Sequence, residues 1–188
     1  MKRFATALAL VLAGTLVAPA LAGASVADKA RKLSNAKYVK VVCGAYVKET
    51  ELEKKFADSY SAIAADDNAG LQSQAVTITN SYLDDVRALQ SKMKKVYPDI
   101  DNGKKVAKLF VNHFGSLIDE IQSALEKLQA ADPSNPAFAA DVTQFEVALQ
   151  VVGTKLTDPF SNVHDNDLLQ AFHDEKSCKD VVTIFGAD

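Results

Sequence analysis

The chain is 188 residues long and carries 21 Lys and Arg against 24 Asp and Glu, a net charge of −3. Such mild acidity argues against a nucleic-acid binder, which shows a basic face and a high pI. The length fits one domain with enough interior to fold without a structural metal or several disulfides.

Residues 1–22 read as a cleaved secretory leader. Lys2 and Arg3 form the positive n-region, residues 4–17 are apolar, and Ala18-Pro19-Ala20-Leu21-Ala22 supplies an Ala-x-Ala site. The apolar stretch is short for a membrane span, and Gly23 rules out the lipid-bearing cysteine of a lipoprotein. No later stretch is long and apolar enough to cross a bilayer. Residues 23–188 are then one domain, secreted or held in a periplasmic or cell-wall space. Without Lys2 and Arg3 the balance is 19 basic to 24 acidic residues, a net charge near −5.

Residues 23–32 form a small, charged lead-in, read as frayed chain or a first helical turn. A helix is predicted over 36–65, with Ser34 or Asn35 as cap and an apolar stripe at Tyr38, Val42, Ala45, Leu52, Phe56, Tyr60 and Ile63. Glu49 interrupts that stripe, and Thr50 with Glu53 reads as a capping box, so a break near Lys48 is expected. Cys43, followed by Gly44, lies in this helix.

Residues 66–70 (Asp-Asp-Asn-Ala-Gly) mark a turn, and a second helix is predicted over 71–97 on the stripe Leu71, Ala75, Ile78, Tyr82, Val86, Leu89, Met93 and Val96. Pro98 ends it. The turn Asp99-Ile100-Asp101-Asn102-Gly103 is no EF-hand, because its glycine comes one place early and position twelve is Phe110. A third helix is predicted over 104–130, striped by Val106, Phe110, His113, Leu117, Ile121, Leu125 and Leu128. Asn135-Pro136 starts a fourth, running to 156 with Phe138, Val142, Phe145, Leu149, Val152 and Leu156 on one face. A short fifth helix begins near Asp167 on Leu168, Leu169 and Phe172. The apolar tail Val181-Val182-Thr183-Ile184-Phe185 is expected to dock.

The fold class implied is all-α: an antiparallel up-down four-helix bundle with a short C-terminal fifth helix. Two cysteines in an exported chain favour one disulfide, Cys43–Cys178. The helix heights agree. Cys43 lies about 12 Å up the first helix, and Cys178 comes about eleven residues after the fifth begins at the same end. Gly44 is expected to let that fifth element approach closely.

Chemistry-bearing residues are few. His113 on the third helix and Met93 on the second are the residues an axial haem pair would use, although no Cys-x-x-Cys-His motif is present. His164, Asp167 and His173 are candidate metal ligands, but nine residues separate the histidines and keep them off one helical face. No nucleophile elbow, phosphate loop or zinc-helix motif occurs, so no catalytic residue and no cofactor are assigned. Lys92, Lys94, Lys95, Lys104, Lys105 and Lys108 flank a single turn, with Lys29, Arg31 and Lys32 expected nearby and Asp66, Asp67 and Asp132 at the opposite end. A basic end attracts anionic surfaces. The expected function is a non-catalytic binding module at the cell envelope or outside the cell. The alternatives are a carrier of a small apolar ligand (lipid or haem) between helices lined by Phe110, Phe138, Phe145 and the tyrosines, and a metal-dependent enzyme.

Overall fold

The computed structural model describes residues 30–179; the leader and the tail 181–185 lie outside the described residues. Five α-helices dominate: α1 (Asn35–Ser61), α2 (Asn68–Met93), α3 (Gly103–Ala130), α4 (Phe138–Lys155) and α5 (Asn166–Asp174). Two 3₁₀ turns, Phe160–Asn162 and Lys176–Cys178, flank α5.

The all-α expectation needs one correction. β1 (Arg31–Leu33) and β2 (Val96–Pro98) form a two-stranded parallel ribbon, with Arg31 opposite Val96 and Leu33 opposite Pro98. Proline disfavours helix at the residue before it, so α2 stops at Met93, short of the predicted 97, and Val96-Tyr97 turn extended. The lead-in supplies the partner strand. Arg31 N–H donates to Lys95 O at 2.7 Å and Asp99 N–H to Leu33 O at 2.8 Å. These bonds fall on either side of Pro98, whose missing donor therefore costs no bond.

Gly103 locks ribbon to helix. Asn102 takes a left-handed conformation, φ 61°, and α3 starts at the next residue. A Cβ on Gly103 would run into the carbonyl oxygen of Pro98. Only glycine fits where the chain turns back on itself this closely.

α1 continues through Lys48. The Thr50 hydroxyl donates to the Tyr46 carbonyl at 3.2 Å, one turn back, instead of capping a new helix. It ends at Ser61, four residues earlier than predicted, and α2 begins at Asn68, with the Asp67 side chain accepting from Gly70 N–H at 2.7 Å. The Asn135 side chain accepts from Ala137 N–H, and α4 begins at Phe138, two residues after the expected Pro136.

The predicted stripes form the core. Tyr38, Val42, Ala45 and Leu52 of α1, Ala75, Tyr82, Val86, Leu89 and Met93 of α2, and Val106, Phe110, Leu117, Ile121, Leu125 and Leu128 of α3 are buried. α2 packs on both α1 and α3, and α4 packs on α3. Contacts run down α3 as they run up α2. Gln72 Nε2 donates to Leu128 O and Ala131 O, capping the end of α3; Arg87 reaches Gln122, and Gln90 reaches Val111 O.

α4 has 18 residues where α3 has 28. The chain beyond α4 completes the core at the ribbon end. Phe160, Leu168 and Phe172 are buried there, and the rings of Phe160 and Phe172 stand 5.1 and 5.6 Å from that of Phe110.

Cys43 and Cys178 are bonded, with Cα atoms 5.1 Å apart and both residues fully buried. The bond pins the last 3₁₀ turn to α1. Gly44 is not what admits it: among the described residues a Cβ there would meet nothing within 4 Å. Cys43 itself faces the neighbour, and Gly44 lies on the open side of the helix.

Two outcomes follow from these contacts. Replacing both cysteines by alanine should lower unfolding stability by about 2–5 kcal/mol, seen as an earlier urea midpoint; an unchanged midpoint would show that the clamp is idle. Gly103→Ala should destabilise the fold by more than the ~1 kcal/mol that a helical Gly→Ala ordinarily gains. If Gly103→Ala instead stabilises, the close approach to Pro98 is not real.

Candidate functional site

The charges are sorted along the molecule. Ribbon, disulfide and the His113–Thr157 contact gather residues 30–48, 87–113 and 157–179 into one half. That half holds fourteen Lys and Arg against seven Asp and Glu, while residues 49–86 and 114–156 hold four against fourteen. The chain's small net charge therefore conceals two strongly opposed ends.

Within the basic half a second sorting appears. Five of its seven acids (Asp158, Asp165, Asp167, Asp174 and Glu175) belong to the segment after α4. The ribbon, the end of α2 and the start of α3 carry Arg31, Lys32, Lys92, Lys94, Lys95, Lys104, Lys105 and Lys108, all exposed, with only Asp99 and Asp101 among them. The six lysines singled out by the sequence thus sit on consecutive elements at one end, joined by Arg31 and Lys32 on β1.

Local contacts hold several in place. Lys32 Nζ pairs with Asp99 Oδ1 at 2.6 Å, and that partner holds its ammonium above its ordinary pKa. Lys94 Nζ donates to Gln90 Oε1 at 2.8 Å. Lys104 Nζ sits 5.4 Å from the centroid of the Tyr97 ring, a cation–π contact that leaves the ammonium facing water. Lys105 lines a cleft of about 400 Å³ with Asp101, His164 and Asp165. What the surface offers chemically is a field of ammonium groups for phosphate, carboxylate or sulfate oxygens.

The other sequence candidates are not assembled. His113 is half-buried, its Nδ1 3.1 Å from Thr157 O, its ring against Tyr46 and Phe114. That contact makes Nδ1 the protonated nitrogen, and burial holds the imidazole below its usual pKa. Met93 is buried on another side of α1, beside Val41, Gly44 and Ala45. Their described contacts share no residue. His164 and His173 are exposed, and Asp167 lies in the first turn of α5, whose cap is the Asp165 side chain accepting from Leu168 N–H. Among the described residues no three His, Cys, Asp or Glu side chains group so as to hold a metal ion. No described helix is long and apolar enough to cross a membrane.

Sequence reasoning noted Glu49 only as a gap in a stripe. It is the most perturbed acid described. The Tyr82 hydroxyl donates to Glu49 Oε1 at 3.3 Å. Burial first, then the charge of Glu53 one turn on and a hydrogen bond to it, push the Glu49 carboxyl up to about 8. An acid standing in an apolar stripe was the signal available.

Comparison with protein-family models, with curated proteins and with solved structures found no match for this chain.

Because Glu49 holds its proton far above the 4.5 of an ordinary glutamate, the folded state binds more protons than the unfolded one between those values. Stability from this group is complete below pH 4.5 and drains away as pH rises through 8. Glu49→Gln should raise the melting temperature at alkaline pH, leave it nearly unchanged at pH 5, and flatten the slope between. Equal shifts at both pH values would mean that Glu49 is ionised in the fold.

Proposed function

We propose that the protein is an exported, non-catalytic interaction module that docks on an anionic surface of the cell envelope through its ribbon end. The body is an up-down bundle of α1–α4, and the site is the lysine field at one end of it. The single observation that carries this reading is the sorting of charge: fourteen basic residues against seven acids in one half and four against fourteen in the other. Dipole complementation accounts for Lys92 and Lys94 at the end of α2, but Lys104 and Lys105 lie in the first turn of α3, where cations oppose the dipole. Helix stability therefore does not explain them.

Magnitudes suit reversible docking. Each cation near an anionic lipid surface contributes about 1 kcal/mol. Eight cations less two acids give roughly 6 kcal/mol, a Kd of tens of micromolar.

The full chain should co-sediment with vesicles containing anionic lipid, or with an immobilised anionic envelope polymer, and binding should fall steeply from about 0.05 to about 0.3 M salt. Reversing Lys104, Lys105 and Lys108 to glutamate should weaken binding at least tenfold without loss of helicity. The two matrices separate lipid from polymer. Binding that ignores salt, or survives the triple reversal, would sink the proposal.

A further inference from the structure

Gly44 stands inside α1, and the fold does not require a glycine there. Its backbone is helical, and among the described residues a Cβ would meet nothing within 4 Å. A glycine in a helix interior costs stability relative to alanine, because it gives up more backbone freedom and packs nothing. What the missing side chain leaves is space. A groove of about 310 Å³ runs between α1 and α2 at this point. Val41, Gly44 and Ala45 line it from α1, and Leu89 and Met93 from α2, at the steps of three and four that share a helical face.

The lining holds two charges, both positive: Lys48 and Lys92. The clefts beside Glu120, Asp85 and Asp101 each carry both signs of charge; this one carries no carboxylate. Lys48 is met by Glu51 at 2.8 Å, an exposed pair that water and salt screen. The Lys92 ammonium is exposed and has no partner among the described residues.

Size and charge choose the occupant. From Val41 to Lys48 the groove is about 10 Å long, and packed helix axes stand about 10 Å apart, a footprint of roughly 100 Å². A stable protein interface takes about 800 Å² per partner. Around the groove α1 exposes Lys37, Lys40 and Glu51, so its apolar floor does not widen there. A second copy would also bring its own Lys48 and Lys92 against these. A hydrocarbon chain meets neither objection: at about 30 Å³ for a water-sized group, the space takes on the order of ten methylenes. An anionic head then answers the two cations. We infer that the α1/α2 groove binds one free single-chain anionic amphiphile, its chain on the floor around Gly44 and its head at Lys92. This site is separate from surface docking: the ligand is a monomer in solution, and no membrane is needed.

The test is calorimetric titration of the full chain with decanoate, hexanoate and 1-decanol, without vesicles. Decanoate should bind one to one, at least tenfold more tightly than hexanoate because each methylene adds apolar burial, and at least threefold more tightly than the uncharged alcohol. Gly44→Leu fills the groove. It should weaken decanoate at least tenfold while the melting temperature stays level or rises, since leucine is the better helix former; Gly44→Ala should fall between. Lys92→Gln should remove the preference for decanoate over 1-decanol. Absence of saturable decanoate binding, equal binding of hexanoate, full affinity in Gly44→Leu, or a preference for the anion that survives Lys92→Gln would each overturn the inference. Binding that appears only when residues 180–188 are deleted would overturn it in favour of the chain's own tail. Wild-type self-association abolished by Gly44→Leu would overturn it in favour of a second copy.

Discussion

The ribbon end depends on a piece of chain that cannot fold by itself. α4 is 18 residues to the 28 of α3, so about 15 Å of α3 would lie bare beyond it. The cover is α5, nine residues long, far below the length at which an isolated helix persists in water. It stays because Phe160 and Phe172 stack around Phe110, and because Cys178 ties the far side of the segment to Cys43. α4 is thus held by packing along α3, and the segment after it by rings and a covalent bond.

The same end is closed from the other side by the ribbon. Three residues of strand would not be stable in isolation. Here they are braced by α3, whose Gly103 allows it to start directly behind Pro98, and by the Lys32–Asp99 pair across the junction. The lysines are consequently not on loose loops. They ride on a hydrogen-bonded ribbon and on the ends of two helices, which fixes the spacing of the positive field.

Much of the helical pattern was legible because long amphipathic segments repeat their signal many times; α3 buries six of its seven predicted stripe residues and half-buries the seventh, His113. The disulfide was legible from cysteine count and helix heights. The ribbon was not, since three residues are too few to establish a period and the partner strands lie 65 positions apart. Thr50 misled for a related reason: a hydroxyl that caps a helix start can equally bond back to the preceding turn, and only packing decides between them. Gly44 was assigned a packing role from its neighbour Cys43, whereas helical geometry turns adjacent residues about 100° apart. The lysine cluster was visible because it brackets one turn. Arg31 and Lys32 were expected near it, and the ribbon shows how they come there: β1 pairs with β2 directly after the end of α2.

The separation of charge has a consequence for posture. α1, 27 residues long, spans about 40 Å. At physiological salt an electric field decays over about 8 Å. A molecule lying flat on a negative plane would bring acids and lysines into that thin layer together and gain little. One standing on its ribbon end keeps the lysines inside the layer and the acids several decay lengths beyond it. On the proposed reading the layout would act as a compass needle: a field that drew in the lysines would also turn the molecule upright, with its acidic end facing away from the surface.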